Sequence, residues 1–293
     1  MSDWRELELV ETRGAIYSTR IARAQGRRRG SAVLLHGFAG SSADWTDAAV
    51  ALAAEGFDAL GIDLPGHGGT TIPAVRSAWS VSDLLRDLVE VTSALDFAPS
   101  HWIGYSMGGR TALHVALAHS SVATSLVLES TSPGIASDTE RAARQSEDEA
   151  LAATIEARGI DWFVSHWEAI PIFDSQRQLS SAVLAAQRER RRANQPGGLV
   201  ASLRHMGQGA MMPVGHRLAE VACPALLIAG ALDPKYQTHA AQMAAAIPGA
   251  EARTIPGAGH NVHLEQPEAF QRAVLDHLDR VVAAGETHAS LPS

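Results

Sequence analysis

Residues 100–119 read SHWIGYSMGGRTALHVALAH, and this stretch decides the fold. An apolar run, HWIGY, is followed at once by an amphipathic stretch, so the sequence predicts a buried strand that turns sharply into a helix. Ser106 stands at the turn, inside the pattern G-x-S-x-G at residues 104–108. A turn this sharp needs small residues beside the serine, and it pushes the serine side chain out at the end of the strand. The sequence therefore predicts a nucleophilic serine at position 106.

Short apolar runs alternate with longer amphipathic stretches along much of the chain. We expect buried parallel strands at residues 32–36, 59–63, 102–105, 125–129 and 225–229, and a shorter one at 254–256. Helices are expected at residues 43–55, 81–95, 106–118, 239–246 and 266–283. Two earlier stretches, Glu6–Glu11 and residues 15–24, predict an antiparallel hairpin. This alternation predicts a mostly parallel sheet with helices on both faces, and the serine turn makes it an α/β-hydrolase fold.

One long segment interrupts the alternation. Residues 132–221 contain no convincing strand, follow a helical pattern and are rich in arginine. They lie between two predicted central strands. We therefore expect an inserted helical lid over the carboxyl ends of the sheet, where ligands bind in α/β folds. Residues 1–131 and 222–293 would then form the α/β-hydrolase core.

Composition and charge narrow the possible partners. A chain of 293 residues with 46% hydrophobic residues suits one large α/β unit. The formal net charge of -8 indicates no nucleic-acid partner, so a site for an anionic substrate must be built locally from arginines. The single cysteine, Cys223, cannot form an internal disulfide, and metal-ligand spacing is absent. We expect neither a metal nor a cofactor.

The N-terminal stretch bears on location. MSDWRELELVE is polar and acidic and lacks the apolar run of a secretory leader. No uninterrupted apolar segment approaches the roughly 20 residues that span a bilayer. We therefore expect a cytoplasmic protein with no membrane partner, and the sequence sets no expectation for its oligomeric state.

A serine nucleophile needs a base, and the base needs an orienting group. In this fold the three follow in the order Ser, Asp, His. Asp233 comes directly after the predicted strand ALLIAG, and His260 ends GAGH, so both lie on loops at the same sheet edge as Ser106. We expect these three residues to form a catalytic triad. Asp63 precedes the serine and is expected to shape its own loop, and His263 falls on the segment that leads into the next helix.

The same chemistry needs a pair of backbone amides that hold developing negative charge, an oxyanion hole. Residues 36–38 follow the first buried strand, where this fold supplies one N–H group, here that of Phe38. The second is expected from Met107, the residue after the serine. His36 is expected to be structural, with its ring held by loop contacts.

Several longer strings are more particular than the serine turn. They are GYSMGGRTAL, ESTSPG, HWEAIPIF, NQPGGLVASLRHMGQG, GALDPKY and GAGHNVHLEQPEAF. From residue 33 to about residue 278 the chain resembles the 2-succinyl-6-hydroxy-2,4-cyclohexadiene-1-carboxylate (SHCHC) synthases of menaquinone biosynthesis. The resemblance implies a carbon–oxygen lyase that removes a proton from a 5-enolpyruvyl cyclohexene substrate, SEPHCHC, and expels pyruvate. The triad serine would then be the proton-abstracting base, and the oxyanion hole would hold charge on the succinyl carbonyl oxygen.

A small polycarboxylate substrate would need cationic side chains. Arg110 lies one helical turn after the triad serine, so it can face the same pocket. By the resemblance, Arg144 and Arg191 match lid positions that grip carboxylates, and Tyr105 and Trp167 match positions that line the pocket. Arginine–carboxylate pairs are strong and geometrically selective.

The lid departs from the family pattern at three places. Gln145 stands where the family often has a second arginine. Residues 207–209 read Gly-Gln-Gly where the family usually reads Gly-Thr-Gly, and His216 replaces a later tryptophan. These differences leave the triad untouched and bear on how the lid fits a substrate.

Two other functions remain open. One is an α/β-fold hydrolase, either a carboxylesterase or a carbon–carbon bond hydrolase, that uses the same triad. The other is a catalytically idle binding protein. Fold alone does not choose among them, because function resides in the site. Arginines in the lid favour the lyase, since a pocket for neutral acyl chains would be apolar, and the intact triad argues against the idle protein.

Overall fold

The computed structural model describes residues 4, 6–12, 15–71 and 80–289. The described strands are β1 (Glu6–Glu11), β2 (Ile16–Ala22), β3 (Gly30–Leu35), β4 (Phe57–Ile62), β5 (Ser100–Tyr105), β6 (Ala123–Glu129), β7 (Ala225–Gly230) and β8 (Glu251–Ile255). The described helices are α1 (Thr46–Ala54), α2 (Val81–Ala94), α3 (Met107–Ala118), α4 (Asp138–Glu168), α5 (Ser181–Arg192), α6 (Pro196–Met206), α7 (Pro234–Ala246), α8 (Val262–Glu265) and α9 (Pro267–Ala289). None of these described helices has both the length and the apolar character needed to cross a bilayer. Residues 1–3 and 5, within the stretch predicted not to be a secretory leader, lie outside the described residues.

The described strands form one eight-stranded sheet in the order β1-β2-β4-β3-β5-β6-β7-β8. β1 pairs antiparallel with β2, and β2 pairs antiparallel with β4. All the remaining pairs are parallel. Parallel neighbours need long crossover connections, usually helical, and these are the amphipathic stretches of the sequence. The predicted hairpin and the mostly parallel sheet are both confirmed.

Alternate residues of the central strands enter two apolar layers. In β3, Val33 and Leu35 join Trp102 in the layer closed by α2, α3 and α7. Ala32 and Leu34 join the opposite layer, which α1 and α9 close. All five side chains are fully buried. Successive side chains of a strand point to opposite faces, so a strand covered on both sides reads as one continuous apolar run.

The helical insertion lies between β6 and β7. Residues 130–224, all of them described, contain no strand and carry α4, α5 and α6. α4 is broken at Gly159, whose φ of 75° and ψ of -173° are not helical. Phe163 after this break packs with Leu199 of α6 in a third apolar cluster. The insertion therefore has a small apolar cluster, which also includes Ala39 of the α/β part of the chain.

Asn194 ties the insertion to the sheet. Its Oδ1 accepts a hydrogen bond from the backbone N–H of Gly68 at 2.9 Å, and its Nδ2 donates to the carbonyl of Ala39 at 3.0 Å. A few residues on, the backbones of Gly66 and Gly198 approach so closely that a Cβ on either would overlap the other's carbonyl oxygen. This contact explains part of the NQPGG string, because only glycine permits such an approach.

Two predicted element starts were wrong. α7 begins at Pro234 rather than at residue 239, because proline suits the first helical position and Asp233 accepts a hydrogen bond from the Tyr236 N–H at 3.2 Å as the helix cap. β8 begins at Glu251, before the predicted residue 254, and its first four residues are exposed or half-buried, so they lack the apolar pattern of a buried strand. The earlier start of α7 places Asp233 at its N-terminus.

Buried histidines make stability depend on pH. Burial lowers the pKa of His67 to about 3 and the pKa values of His101 and His277 to about 4, from 6.5. Between about pH 6.5 and pH 4 the unfolded chain therefore binds more protons than the folded chain, and stability falls as the pH is lowered. Each histidine contributes on the order of 1–2 kcal/mol to this loss at about pH 5.

Chemical denaturation at about pH 7.5 and about pH 5 tests this expectation. His277→Leu should shrink the difference between the two free energies of unfolding, because leucine binds no proton. Nε2 of His277 has no hydrogen-bond partner among the described residues, so the substitution breaks no hydrogen bond at that atom. His216→Gln, at an exposed position, should leave the difference unchanged. Equal pH dependence in wild type and His277→Leu would contradict the expectation.

Candidate active site

The serine turn joins β5 to α3. Ser106 has φ of 50° and ψ of -105°, a strained conformation that places it at the N-terminus of α3. A Cβ on Gly104 would overlap the backbone of Gly108, and a Cβ on Gly108 would overlap the carbonyl of Leu35. The glycines of the G-x-S-x-G pattern are therefore required by close backbone packing.

The structure brings Ser106, His260 and Asp233 together. His260 Nδ1 lies 2.7 Å from Asp233 Oδ2, and His260 Nε2 lies 3.3 Å from Ser106 Oγ. A carboxylate only accepts hydrogen bonds, so Nδ1 carries the proton and Nε2 presents its lone pair to the serine hydroxyl. Asp233 and His260 are buried, and Ser106 is half-buried at the cavity. This geometry allows His260 to take the serine proton.

Two buried carboxylates hold the His260 loop. Glu265 accepts hydrogen bonds from the backbone N–H groups on either side of the histidine, those of Gly259 at 2.7 Å and Asn261 at 3.1 Å. Glu129 accepts from the backbone N–H of His263 at 3.0 Å and contacts its ring at 2.7 Å. His263 is thus committed to Glu129 and does not compete for the serine.

The other competing acid also has a structural role. Asp63 accepts hydrogen bonds from the backbone N–H groups of Ser42 at 2.7 Å and Gly69 at 2.8 Å, and so shapes its own loop. His36 Nε2 accepts from the Leu64 N–H at 2.9 Å, and its Nδ1 donates to a backbone carbonyl at 2.7 Å. Burial lowers the pKa of His36, which keeps the ring neutral for this pair of contacts.

Phe38 and Met107 lie where an oxyanion hole is expected. Both residues line the cavity beside the serine. Met107 is the first residue of α3, where backbone N–H groups have no partner within the helix and the helix dipole favours negative charge. Neither amide donates a hydrogen bond to another described residue. Both are therefore available to an oxygen that gains charge.

The cavity beside the serine has a volume of about 240 Å³. Core and insertion both contribute to its wall, and Tyr105 and Trp167 lie there as predicted. The cations on its wall are Arg110, Arg144 and Lys235, and no carboxylate is among the described residues that line it. No cluster of three or more metal-binding side chains occurs in the described part of the chain. The electrostatics of the cavity favour an anionic ligand.

Arg110 is a buried cation that makes no ion pair with a carboxylate of the described residues. Only 7% of the residue is exposed, and its Nε has no hydrogen-bond partner among the described residues. Burial lowers the pKa of its guanidinium from the ordinary value. A buried charge without an ion pair is costly, and at a cavity wall such a charge is available to an anionic ligand.

Arg191 is not on this cavity wall. It is buried in a neighbouring groove, where its guanidinium lies 3.4 Å from a Glu168 carboxylate oxygen and 5.4 Å from the centre of the Phe173 ring. Phe173 lines both the groove and the cavity. The charge of Arg191 also interacts with the Tyr105 hydroxyl, and Tyr105 lines the cavity, so a substrate-binding role for Arg191 stays a prediction.

Other residues were missed or left unassigned by the sequence. Lys235 and Tyr236 line the cavity because α7 starts right after Asp233. The sequence missed both residues because it predicted a later start for that helix. Gln208 lines it as well and contacts Arg144. Arg204 of the SLR string lies elsewhere, paired with two glutamates of α4 on the surface.

The sheet, the serine turn and the serine–histidine–aspartate contacts define a protein of the α/β-hydrolase class. The family described as alpha/beta hydrolase fold matches residues 33–267. A Bacillus subtilis (strain 168) protein provisionally named as an SHCHC synthase is 36% identical over 249 residues, which are 85% of this chain and 90% of that one. The SHCHC synthase of Escherichia coli O139:H28 is 31% identical over 237 residues, 80% of this chain and 88% of that one.

A solved structure agrees with these relatives. MenH from S. aureus is 30% identical, with a TM-score of 0.86 over 90% of this chain and 98% of that chain. The chain therefore belongs to the SHCHC synthase family of the alpha/beta hydrolase fold and is an enzyme. The predicted resemblance and the predicted fold are confirmed.

Proposed function

We propose that this enzyme converts SEPHCHC to SHCHC with release of pyruvate in menaquinone biosynthesis. The observation that carries the proposal is Arg110, a buried cation beside the triad that lacks a carboxylate partner among the described residues. The substrate bears three carboxylates, on its ring, its succinyl group and its enolpyruvyl group. The described cavity wall offers three cations, which are Arg110, Arg144 and Lys235.

The chemistry we propose is proton abstraction followed by elimination. His260 takes the hydroxyl proton of Ser106 as Asp233 stabilises the charged ring, and the serine oxygen removes the proton α to the succinyl carbonyl. The electron pair passes through the enolate into the ring diene as the ring C–O bond breaks. The enolpyruvyl group leaves with that oxygen and, after gaining a proton, becomes pyruvate, so no water enters either product.

The oxyanion hole supports this use of the triad. Removing a proton α to a carbonyl places negative charge on the carbonyl oxygen, as acyl transfer does. The amides of Phe38 and Met107 donate to no other described residue and can donate to that oxygen. Tyr105 and Trp167 supply the aromatic wall that packs against the ring of the substrate.

We propose further that residues 132–221 act as a lid on the core formed by residues 1–131 and 222–293. The insertion contributes Arg144, Trp167 and Gln208 to the cavity, so substrate would be enclosed between the two parts. Water excluded in this way strengthens the arginine–carboxylate pairs and protects the enolate. A cytoplasmic location remains the prediction that accompanies this function.

A pyruvate assay on the purified protein tests the proposal. Supplied with SEPHCHC, the enzyme should release pyruvate well above the spontaneous background. Simple p-nitrophenyl esters provide the comparison, because the same triad geometry suits a carboxylesterase or a carbon–carbon bond hydrolase. Background-level pyruvate release together with rapid ester cleavage would favour the hydrolase and overturn the lyase.

A further inference from the structure

The guanidinium of Arg144 is held by two acceptors on different segments. Its Nε donates to Asp148 Oδ1 at 2.8 Å, one turn along α4. Its Nη1 donates to Gln208 Oε1 at 3.2 Å, from the turn after α6. An arginine has five N–H donors, so three make no hydrogen bond to a described residue, and both donors of Nη2 are among them and could bind a carboxylate.

A third residue sets the orientation of the Gln208 amide. Gln208 Nε2 donates to Ser132 Oγ at 2.8 Å, and both residues are buried, at 8% and 1% exposure. With Nε2 turned to the serine, Oε1 faces the arginine. The reversed amide would set its N–H₂ group against the N–H groups of Arg144, two donors with no acceptor between them. The contacts therefore specify one orientation of the amide.

We propose that Gln208 is a positioning residue that aims Arg144 at a substrate carboxylate without neutralising it. The amide oxygen orients the guanidinium as a second carboxylate would. Because the amide is neutral, it does not add to the partial offset of the arginine's charge by Asp148, and the guanidinium still attracts an anion. This proposal rests on the proposed function and deepens it.

Gln208→Glu tests the proposal because it preserves shape and adds one negative charge. The new carboxylate can accept from both Ser132 and Arg144, so the variant should unfold at or above the wild-type midpoint. The Michaelis constant for SEPHCHC should nevertheless rise about tenfold or more, with kcat changed less than about threefold, because the lost interaction is a binding interaction.

Ser146→Glu provides the matched control, since it adds the same charge on the exposed side of α4, two residues from Arg144. Its Michaelis constant should stay within about twofold of wild type. Equal Michaelis constants in the two variants would overturn the proposal. So would a Gln208→Glu midpoint lowered by about 5 °C or more, which would mark the glutamine as structural only.

Succinate binding separates this proposal from the proposed function. Calorimetric titration of wild type with succinate should give measurable affinity, and Gln208→Glu should weaken it about fivefold or more, whether or not SEPHCHC is turned over. If pyruvate were not released but succinate still bound the wild type more tightly than Gln208→Glu, the lyase function would be overturned and the positioning role of Gln208 would stand. Undetectable succinate binding in wild type, or equal affinity in the variant, would overturn the positioning role.

Discussion

Ser106→Ala is expected to lower kcat/KM for pyruvate release by about 10³-fold. The alanine lacks the oxygen that we propose as the base. The imidazole of His260 lies too far back to replace it, because its Nε2 is 3.3 Å behind that oxygen in the wild type. The loss should fall on kcat, because the three cations of the cavity wall are unchanged. Steady-state pyruvate assays under identical conditions measure the effect.

Binding of the product is the control for Ser106→Ala. The variant should bind SHCHC, the proposed product, with near wild-type affinity in a calorimetric titration. If pyruvate release were to fall less than about tenfold, Ser106 would not be the base, and a role for His260 acting directly would replace it.

Arg110→Met is expected to separate activity from stability. It removes the charge of a buried guanidinium that has no carboxylate partner among the described residues. We expect kcat/KM to fall by about 10²-fold or more, because a desolvated carboxylate partner is lost from the substrate complex. The free enzyme should become more stable by on the order of 1 kcal/mol, because an apolar side chain fills a site that now holds a buried charge with no ion pair among the described residues.

Arg204→Met is the control for Arg110→Met, because it removes a paired arginine from the surface. Arg204 is paired on the surface with Glu149 and Glu156, away from the cavity. We expect pyruvate release at the wild-type rate and no gain in stability. If Arg110→Met behaved like Arg204→Met in both measurements, Arg110 would have no part in binding an anion. Urea unfolding and pyruvate release on the same preparations supply both readings.

The three side chains of the predicted triad could be placed from the sequence because the local sequence around each one determines where it lies. An apolar run that ends in a sharp turn places Ser106, and the runs ahead of Asp233 and His260 bring their loops to the same sheet edge. Parallel strands share one direction, so side chains that follow their carboxyl ends converge. The structure brings the three side chains into contact, at 2.7 Å and 3.3 Å.

The insertion was less predictable for a physical reason. Its helices pack through contacts between distant segments, such as Arg144 with Gln208, which are 64 residues apart. Helical spacing shows which residues share a face and does not show which neighbour that face meets. The sequence therefore predicts a pocket role for Arg191 without showing its neighbours, and the structure adds its ion pair with Glu168 and its contact with the Phe173 ring.

Lys235 was not predicted at the site for a different reason, which is the predicted start of α7. It stands two residues after Asp233, but the stretch Pro234–Ala246 was predicted to be helical only from residue 239. A proline at the first helical position and a capping aspartate before it are sufficient to predict the earlier start. With that start, Lys235 and Tyr236 would have been expected beside the triad.

The mass of the ring product tests the central claim most directly. Elimination gives SHCHC, a cyclohexadiene, and one pyruvate for each SEPHCHC consumed. Hydrolysis of the enol ether would also release pyruvate but would leave a ring product heavier by one water. We predict a mass spectrum that contains the diene alone, with pyruvate in equal amount. A ring product that has gained water, formed at the enzymatic rate and abolished in Ser106→Ala, would contradict the lyase account.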